Sequence, residues 1–374
     1  MSTTAMSTRI AAALRDVVWP RRGVAGWAGW LALQPASALF GMGVLLRNAA
    51  YDAGVLRAQR ADLAVVSVGN LSVGGTGKTP MTLWLAQQLA AGGIKTGILL
   101  RGYGGRAQGT TLVSAGDGPL AEVRDAGDEA VMLARSFKGP VLTAARRIDG
   151  ARRAAELGCR VIVLDDGFQH RALARDFDLV LLSGREGSLL PSGPMRENRG
   201  ALRRADALAL VSKVGSAGLP AIAVRGVAGK PLFAVRFEAR ALIEPDGGVW
   251  RERPLRELSQ RRIAVIAGIA DPRPFYLTLR QWEADIGEIF EFPDHHSYTA
   301  TDWQRLSRAT HDFDYVVTTE KDLVKLEHFP FARGKLLALR VSPHVDGGEQ
   351  LVALIRARIA ARLRAPSQEE PHAD

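Results

Sequence analysis

Lys78 and Thr79 close the run Ser72-Val73-Gly74-Gly75-Thr76-Gly77-Lys78-Thr79, in which three glycines precede a cation and a hydroxyl. Glycine takes backbone angles closed to other residues, so successive N–H groups can turn inward around an anion. Lys78 then supplies a mobile positive charge for the β- and γ-phosphates of a nucleotide, and Thr79 a hydroxyl for Mg²⁺. The pattern G-x-x-x-x-G-K-[ST] asks for glycine where this chain has Ser72, a single departure. A second centre is Asp165-Asp166, delivered by the apolar run Val161-Ile162-Val163-Leu164. A strand ending in aspartate is the Walker-B arrangement, in which Asp165 reaches the same Mg²⁺ directly or through water.

Two weaker constellations accompany these. Asp125 to Ala130 opens an apolar helix; acids in a first turn are routine caps, and one of them could also serve as a base if the turn faces the nucleotide. Phe292-Pro293-Asp294-His295-His296-Ser297-Tyr298 holds two adjacent histidines that point different ways, so they are a poor ligand pair for a single metal. An Asp-His pair there orients or polarises a catalytic group; a surface turn is the other reading.

These residues need strands to carry them. The β-branched run Val65, Val66, Val68 feeds the glycine-rich turn, and Met81 to Ala91 reads as the helix that follows, the order of a phosphate-binding loop. Thr96 to Leu100 predicts a second strand, ending in Arg101-Gly102-Tyr103-Gly104. Side chains at the carboxyl end of a parallel strand face the ligand crevice, which makes Arg101 and Tyr103 candidates for substrate or phosphate contact, with a solvated turn as the alternative. Phe177 to Ser183 and Ala205 to Val211 read as two more buried strands, and Leu190 to Glu197 between them as a loop able to reach over a site. Pro245-Asp246-Gly247-Gly248 is a hairpin signal flanked by strands. A further run of α/β pattern follows from Arg262, with strands at Ile263 to Ile269, Tyr315 to Thr319 and Leu336 to Val341 and a closing helix from Gln350.

The expected fold is therefore α/β: a parallel-sheet domain of the P-loop nucleotide-triphosphatase type, plus a smaller second α/β domain joined by a two-stranded linker. The expected boundaries are a membrane-contacting helical segment over 1–60, a P-loop domain over 61–230, the hairpin linker over 231–255, the second domain with its closing helix over 256–364, and a disordered tail over 365–374.

Composition limits the function. With 374 residues, 47% apolar and 24% charged, the chain can bury two ordinary cores. Its formal net charge of +10 suits anionic membrane or phosphorylated substrates; the arginines are scattered without interleaved aromatics, so no nucleic-acid partner is expected. Cys159 is the single cysteine and reads as a small core residue. From Gly23 to Leu46 no residue is charged, and Trp27, Trp30, Leu39, Phe40 and Met42 lie between Arg21-Arg22 and Arg47. Gln34, Pro35 and the glycines interrupt this run, which favours amphipathic helices lying in a membrane interface over a span or a buried hairpin.

With GNLSVGGTGKTP, LRGYGG, GDEA, LDDGFQH, MRE and FPDHHSY in this order, the chain closely resembles the tetraacyldisaccharide 4'-kinases, the lipid A 4'-kinases, from about Pro35 to about Asp322. In that family a serine or threonine at the position of Ser72 is usual. The resemblance implies transfer of the ATP γ-phosphate to the 4'-hydroxyl of a tetraacylated glucosamine disaccharide 1-phosphate, with ATP and Mg²⁺ as cofactors, and two α/β/α domains with the nucleotide between them. It implies work at the cytoplasmic face of the inner membrane, with the N-terminal segment peripheral or shallowly inserted in an anionic surface; a monomer is expected. Carried over by position, Ser72 to Thr79 hold the nucleotide, Asp165 is the strand-end acid, and Glu129 and Asp166 lie where magnesium-side acids are expected. Asp128 matches the family's base, with His295 as its partner; His296 remains open for that role, although the Asp-His order favours His295. Arg101, Tyr103, Gln169, His170, Arg196 and Glu197 match positions near the disaccharide head group.

A nucleotide-driven switch protein of the partitioning type shares GGTGKT, but its loop carries a lysine where this chain has Val73. A GTPase needs an Asn/Thr-Lys-x-Asp motif, and Thr319-Glu320-Lys321-Asp322 has the wrong order.

Overall fold

The structure, a computed structural model, describes residues 13–184, 187–212 and 229–364. The tail expected over 365–374 and the first twelve residues lie outside the described residues.

The run read as the first strand is β1 (Ala64–Asn70), buried along its whole length. β-Branched residues on both faces select such a position in a covered parallel sheet. β1 lies between β5 (Val161–Asp165) and β6 (Phe177–Leu182), parallel to both. β5 pairs with β2 (Thr96–Leu100), β2 with β4 (Val141–Ala144), and β4 antiparallel with the edge strand β3 (Thr110–Ser114). On the other flank β6 pairs with β7 (Ala207–Ser212) and β7 with β8 (Leu232–Asp246), both in parallel.

The hairpin expected at Asp246-Gly247-Gly248 forms between β8 and β9 (Val249–Arg253). β8 does more than link, however: it also pairs antiparallel with β13 (Leu336–Val345) from Val235 to Ile243. Through β13 the sheet continues to β12 (Tyr315–Thr319), β10 (Arg262–Ala267) and β11 (Asp285–Glu291), all parallel to one another. Among the described residues one 13-stranded sheet thus runs through both lobes.

Each lobe has core clusters of its own, and Val324 of the second lobe's helix Glu320–Leu326 joins that of the first. Leu242, Val265, Leu279, Val317 and Leu339 gather on one face of the second lobe, and Ile266, Phe290, Leu306, Leu323 and Leu326 on the other. The first lobe is sealed by helix Lys78–Ala91, whose Met81, Leu85 and Leu89 are fully buried. Against these pack Leu351, Ile355 and Ile359 of the last helix, Gly348–Arg364. The chain therefore crosses back, and the helix expected to close the second unit covers the first.

This topology stacks the candidate residues at strand ends. Val68 is in register with Asp165 and Leu99 with Leu164, so the phosphate loop, Asp165-Asp166 and Arg101 all leave neighbouring strands at their carboxyl ends, where ligands of open α/β sheets bind.

Candidate active site

The phosphate loop is pinned from inside. Asn70 at the end of β1 donates from Nδ2 to Thr76 Oγ1 at 2.8 Å, and both residues are buried. Gly77 has φ +83°, a left-handed conformation that glycine takes without penalty, and it hands the chain to helix Lys78–Ala91. That helix presents its N-terminal N–H groups and positive dipole end to the loop's concavity. From outside, Val73 N donates to Pro194 O at 2.8 Å and Arg196 N to Leu71 O at 2.7 Å, so the loop preceding Glu197 runs alongside the phosphate loop.

Hard oxygen donors collect beside it. Thr79 Oγ1 donates to Asp165 Oδ2 at 2.9 Å, and Thr82 Oγ1 to Asp165 Oδ1 at 3.2 Å. Burial, with the charges of Glu129 and Asp166, pushes the Asp165 carboxyl well above the usual carboxylate range. A carboxylate crowded by acids and bonded to the loop hydroxyl suits a small divalent cation, which takes one or two carboxylates and completes its shell with phosphate and water. Among the described residues no three His, Cys, Asp or Glu side chains form a metal cage by themselves. Asp166, at φ +54°, turns aside: Lys78 Nζ lies 3.7 Å from its Oδ1, and Arg196 donates to its Oδ2 at 2.8 Å. Burial raises the Asp166 carboxyl, but Lys78 and Arg196 outweigh it and hold the group ionised.

The second lobe brings its groups to Asp128. Gly127, at φ +87°, starts helix Asp128–Ser136; a Cβ there would stand 2.5 Å from Tyr103 O. Asp128 is 5% exposed and caps Glu129 N at 2.9 Å. Across the cleft, His295 Nδ1 lies 3.0 Å from Asp128 Oδ2 and 3.1 Å from Oδ1. His295 has φ +60°, the sharp turn that aims its ring back at the first lobe. Its neighbour goes elsewhere: His296 Nε2 lies 3.1 Å from Asp302, which caps helix Ala300–Ala309 with Thr299. The structure brings His295, and not His296, to Asp128. Burial pushes Asp128 up, yet the hydrogen bond from His295 and the charges of Lys321 and Lys325 hold its carboxyl below the usual range. The same bond raises His295 against its own burial.

The expected head-group residues divide in two. Arg101 is exposed at the rim, and Tyr103, 72% exposed, stands 5.6 Å from the His295 ring. Gln169 donates from Nε2 to Asn70 O at 2.8 Å, tying it to the phosphate loop, and Arg196 holds Asp166. The His170 imidazole is pulled down to about 4 by burial and by Arg147, Arg175, Arg101 and Arg47, so it is neutral. Glu197 points inward: its carboxylate accepts from Asn48 Nδ2 at 2.7 Å and from Arg204 at 3.0 Å and is 1% exposed. It fastens helix Gln34–Asp52 to the phosphate-loop side of the site.

Three groups here were missed in the sequence. Arg147 is 3% exposed and donates to Ala144 O at 2.6 Å while its Nε finds no partner; burial and Arg101 lower it to about 10. Lys321 and Lys325 project from helix Glu320–Leu326 into the cleft, Lys321 within 3.7 Å of Glu129 and Lys325 within 3.6 Å of Asp128. Arg147 stands among several arginines at a helix start, and two lysines at i, i+4 on a short helix read as a solvated face.

A phosphate loop, a strand-end acid bonded to its threonine, and a carboxylate–imidazole pair facing them define a phosphate-loop phosphotransferase. Residues 29–360 match the family model LpxK, tetraacyldisaccharide-1-P 4'-kinase, and the chain belongs to that family. It is 41% identical over 365 residues to a tetraacyldisaccharide 4'-kinase of Anaeromyxobacter dehalogenans, covering 92% of this chain and 95% of that one. It is 40% identical over 319 residues to the protein of the same name from Syntrophus aciditrophicus, covering 79% and 84%. Among solved structures it is similar to LpxK from Aquifex aeolicus, a crystal structure described as an "apo" form in complex with ATP. That likeness has a TM-score of 0.74 at 32% identity and covers 88% of this chain and 99% of that one.

Proposed function

We propose that this chain transfers the γ-phosphate of ATP to the 4'-hydroxyl of tetraacyldisaccharide 1-phosphate, forming the 1,4'-bisphosphate on the route to lipid A. The observation that carries the reading is the contact of His295 with Asp128, 3.0 Å apart and from different lobes, beside a complete phosphate loop.

Transfer of a phosphoryl group to an alcohol needs the phosphates held, their charge neutralised and the hydroxyl aimed in line. Ser72 to Thr79 and the helix dipole hold the triphosphate, and Lys78 is the cation placed for the β- and γ-phosphates. Thr79 and Asp165 are the residues to hold Mg²⁺, with Glu129 and Asp166 on its side of the site; the ion, when bound, neutralises charge on the β- and γ-oxygens. Asp128 takes the hydroxyl proton. Its cationic surroundings make it a weak base, which suits a loose transition state where proton transfer comes late. His295 orients the carboxylate and shares the charge. Arg101, Tyr103, Gln169, His170 and Arg196 surround the place for the sugar head group, and the arginines near His170 give it a positive field suited to an acceptor that already bears a phosphate.

Membrane contact belongs to the same proposal. No single helix among the described residues is long and apolar enough to cross a membrane; Gly23–Ala32 and Gln34–Asp52, bent by 46°, reach that length and composition only as a pair. Val24, Trp27, Leu31, Leu39, Met42 and Leu46 are more than half exposed along them, which suits shallow burial in an anionic inner-membrane surface at its cytoplasmic face. An acceptor with four acyl chains stays in the bilayer, so the enzyme must come to it. Monomeric action completes the proposal, with the units dividing at the β8–β9 hairpin and the last helix, Gly348–Arg364, returning to the first unit.

The test is mass spectrometry of the lipid disaccharide 1-phosphate incubated with ATP, Mg²⁺ and the protein. A gain of one phosphate on the distal sugar is the expected product; acceptor-independent ATP hydrolysis with nucleotide-driven dimerisation would indicate the switch class instead.

A further inference from the structure

Both nitrogens of the His295 ring are engaged. Nδ1 faces Asp128 at 3.0 Å, and Nε2 faces Lys321 Nζ at 3.0 Å. A lysine ammonium has three hydrogens to donate and no lone pair, and a neutral imidazole offers one donor and one acceptor. In the neutral ring Nε2 then accepts from Lys321, and the one hydrogen on nitrogen sits on Nδ1, pointing at the Asp128 carboxylate. Lys321 is itself fixed. Its Nζ donates to Asp294 Oδ1 at 2.9 Å, on the residue next to His295, and its side chain is 15% exposed. One lysine thus grips both the turn that carries the imidazole and the ring's far nitrogen.

We infer that Lys321 is a positioning residue for phosphoryl transfer, holding His295 in the Nδ1–H tautomer and in the ring orientation that donates to Asp128. The inference rests on the reading that Asp128 and His295 act on the acceptor hydroxyl. With Nδ1–H donating, the carboxylate keeps lone pairs for the substrate. Without Lys321 the ring is free to take the Nε2–H tautomer or to flip, and the hydrogen that aligns Asp128 is lost. Partners of this outer kind are commonly worth about 10- to 100-fold in activity where they fix a functional histidine, as at metal sites.

The experiment combines kinetics with nitrogen-15 spectra of the full chain. In unmodified protein with ATP bound, the His295 ring, assigned by its absence in His295→Ala, is expected to show a protonated Nδ1 and a bare Nε2; the opposite tautomer overturns the inference even if no variant folds. Lys321→Met is expected to lower kcat about 10- to 100-fold with KM for ATP within about twofold. Lys321→Arg, which keeps donors toward Nε2, is expected to recover most of that loss. In a His295→Ala background, Lys321→Met is expected to cost less than about threefold more, because the two act as one unit. Losses that multiply would mean that Lys321 works through Glu129 or the nucleotide, and overturn the inference. A His295→Ala protein with full turnover would instead remove the dyad itself.

Discussion

The ring of Phe237 lies on the α-carbon of Gly77: a Cβ built at Gly77 would stand 2.1 Å from Phe237 Cζ and 2.3 Å from Cε2. Phe237 belongs to β8, the strand shared by both lobes, and is in register with Pro343 of β13. The strand that joins the lobes therefore rests on the phosphate loop at Gly77, the positive-φ residue just before Lys78.

Gly77→Ala meets two separate penalties. The positive φ costs a non-glycine residue about 1–2 kcal/mol, and overlap with a packed ring costs about 1–3 kcal/mol. Calorimetric titration with ATP and thermal melting are expected to show weakened binding and a lower midpoint. In a Phe237→Ala background only the first penalty remains, so Gly77→Ala is expected to cost less there than in the parent. No loss from Gly77→Ala in that background would show that the backbone angle carries no cost.

Lys78→Ala is expected to lower turnover about a thousandfold, the scale of losing a principal phosphate-charge donor. The fold is expected to persist, because Asp166 keeps Arg196 at 2.8 Å when Lys78 is gone. Steady-state rates beside a melting curve check both halves; an unaltered rate would take the loop out of the chemistry.

Arg135, at the far end of the helix that starts with Asp128, pairs with Glu327 at 2.8 Å, and Glu327 also accepts from Trp250 Nε1 at 2.8 Å. The side chains are 15% and 6% exposed. Removing one partner of such a pair strands the other charge, so Glu327→Ala is expected to cost about 3 kcal/mol in denaturant unfolding. Glu327→Gln, which still accepts from Trp250, is expected to cost less.

The Cys159 thiol is 3% exposed, and burial, only partly offset by Lys95, pushes it up to about 11. At pH 8 the native protein then holds about one thiolate in a thousand, and a thiol reagent is expected to label it only after denaturant is added. The folded value lies above the ordinary 9.0, so this group's contribution to stability is complete below pH 9 and fades as pH rises toward 11. Prompt labelling at pH 8 would place the sulfur at the surface.

How much of this could be read from the sequence depended on distance along the chain. The phosphate loop and Asp165 were legible because each is a local pattern with a strand before it, and Asp165 meets Thr79 through the register of adjacent strands. The resemblance to the kinases supplied the Asp128–His295 pairing, which spacing alone could not, since 167 residues and two lobes separate them. Lys321 was read only as a failed base-reading motif, because a lysine on a short helix carries no sign of what faces it. Glu197, placed by resemblance near the head group, has its carboxylate spent on Asn48 and Arg204. β8 looked like a linker because its partners β7 and β13 lie far apart in sequence.

The N-terminal helices invite a finer test than deletion. Ser37 Oγ donates to Ser192 Oγ at 2.8 Å, Trp30 Nε1 to Ser188 Oγ at 3.0 Å and Asn48 to Glu197 at 2.7 Å, so removing the segment would also free the loop that lies along the phosphate loop. The opposite face of helix Gln34–Asp52 carries Leu39, Met42 and Leu46, at i, i+3 and i+7, all exposed. Replacing these three with serine leaves the anchoring face untouched. The variant is expected to lose most binding to vesicles of phosphatidylethanolamine and phosphatidylglycerol in flotation, since each large apolar side chain contributes about 1.5–3 kcal/mol when buried. Turnover of detergent-solubilised acceptor is expected to stay within about threefold, because the bonds to Ser188, Ser192 and Glu197 remain. Equal flotation of variant and parent would place the membrane contact on another face.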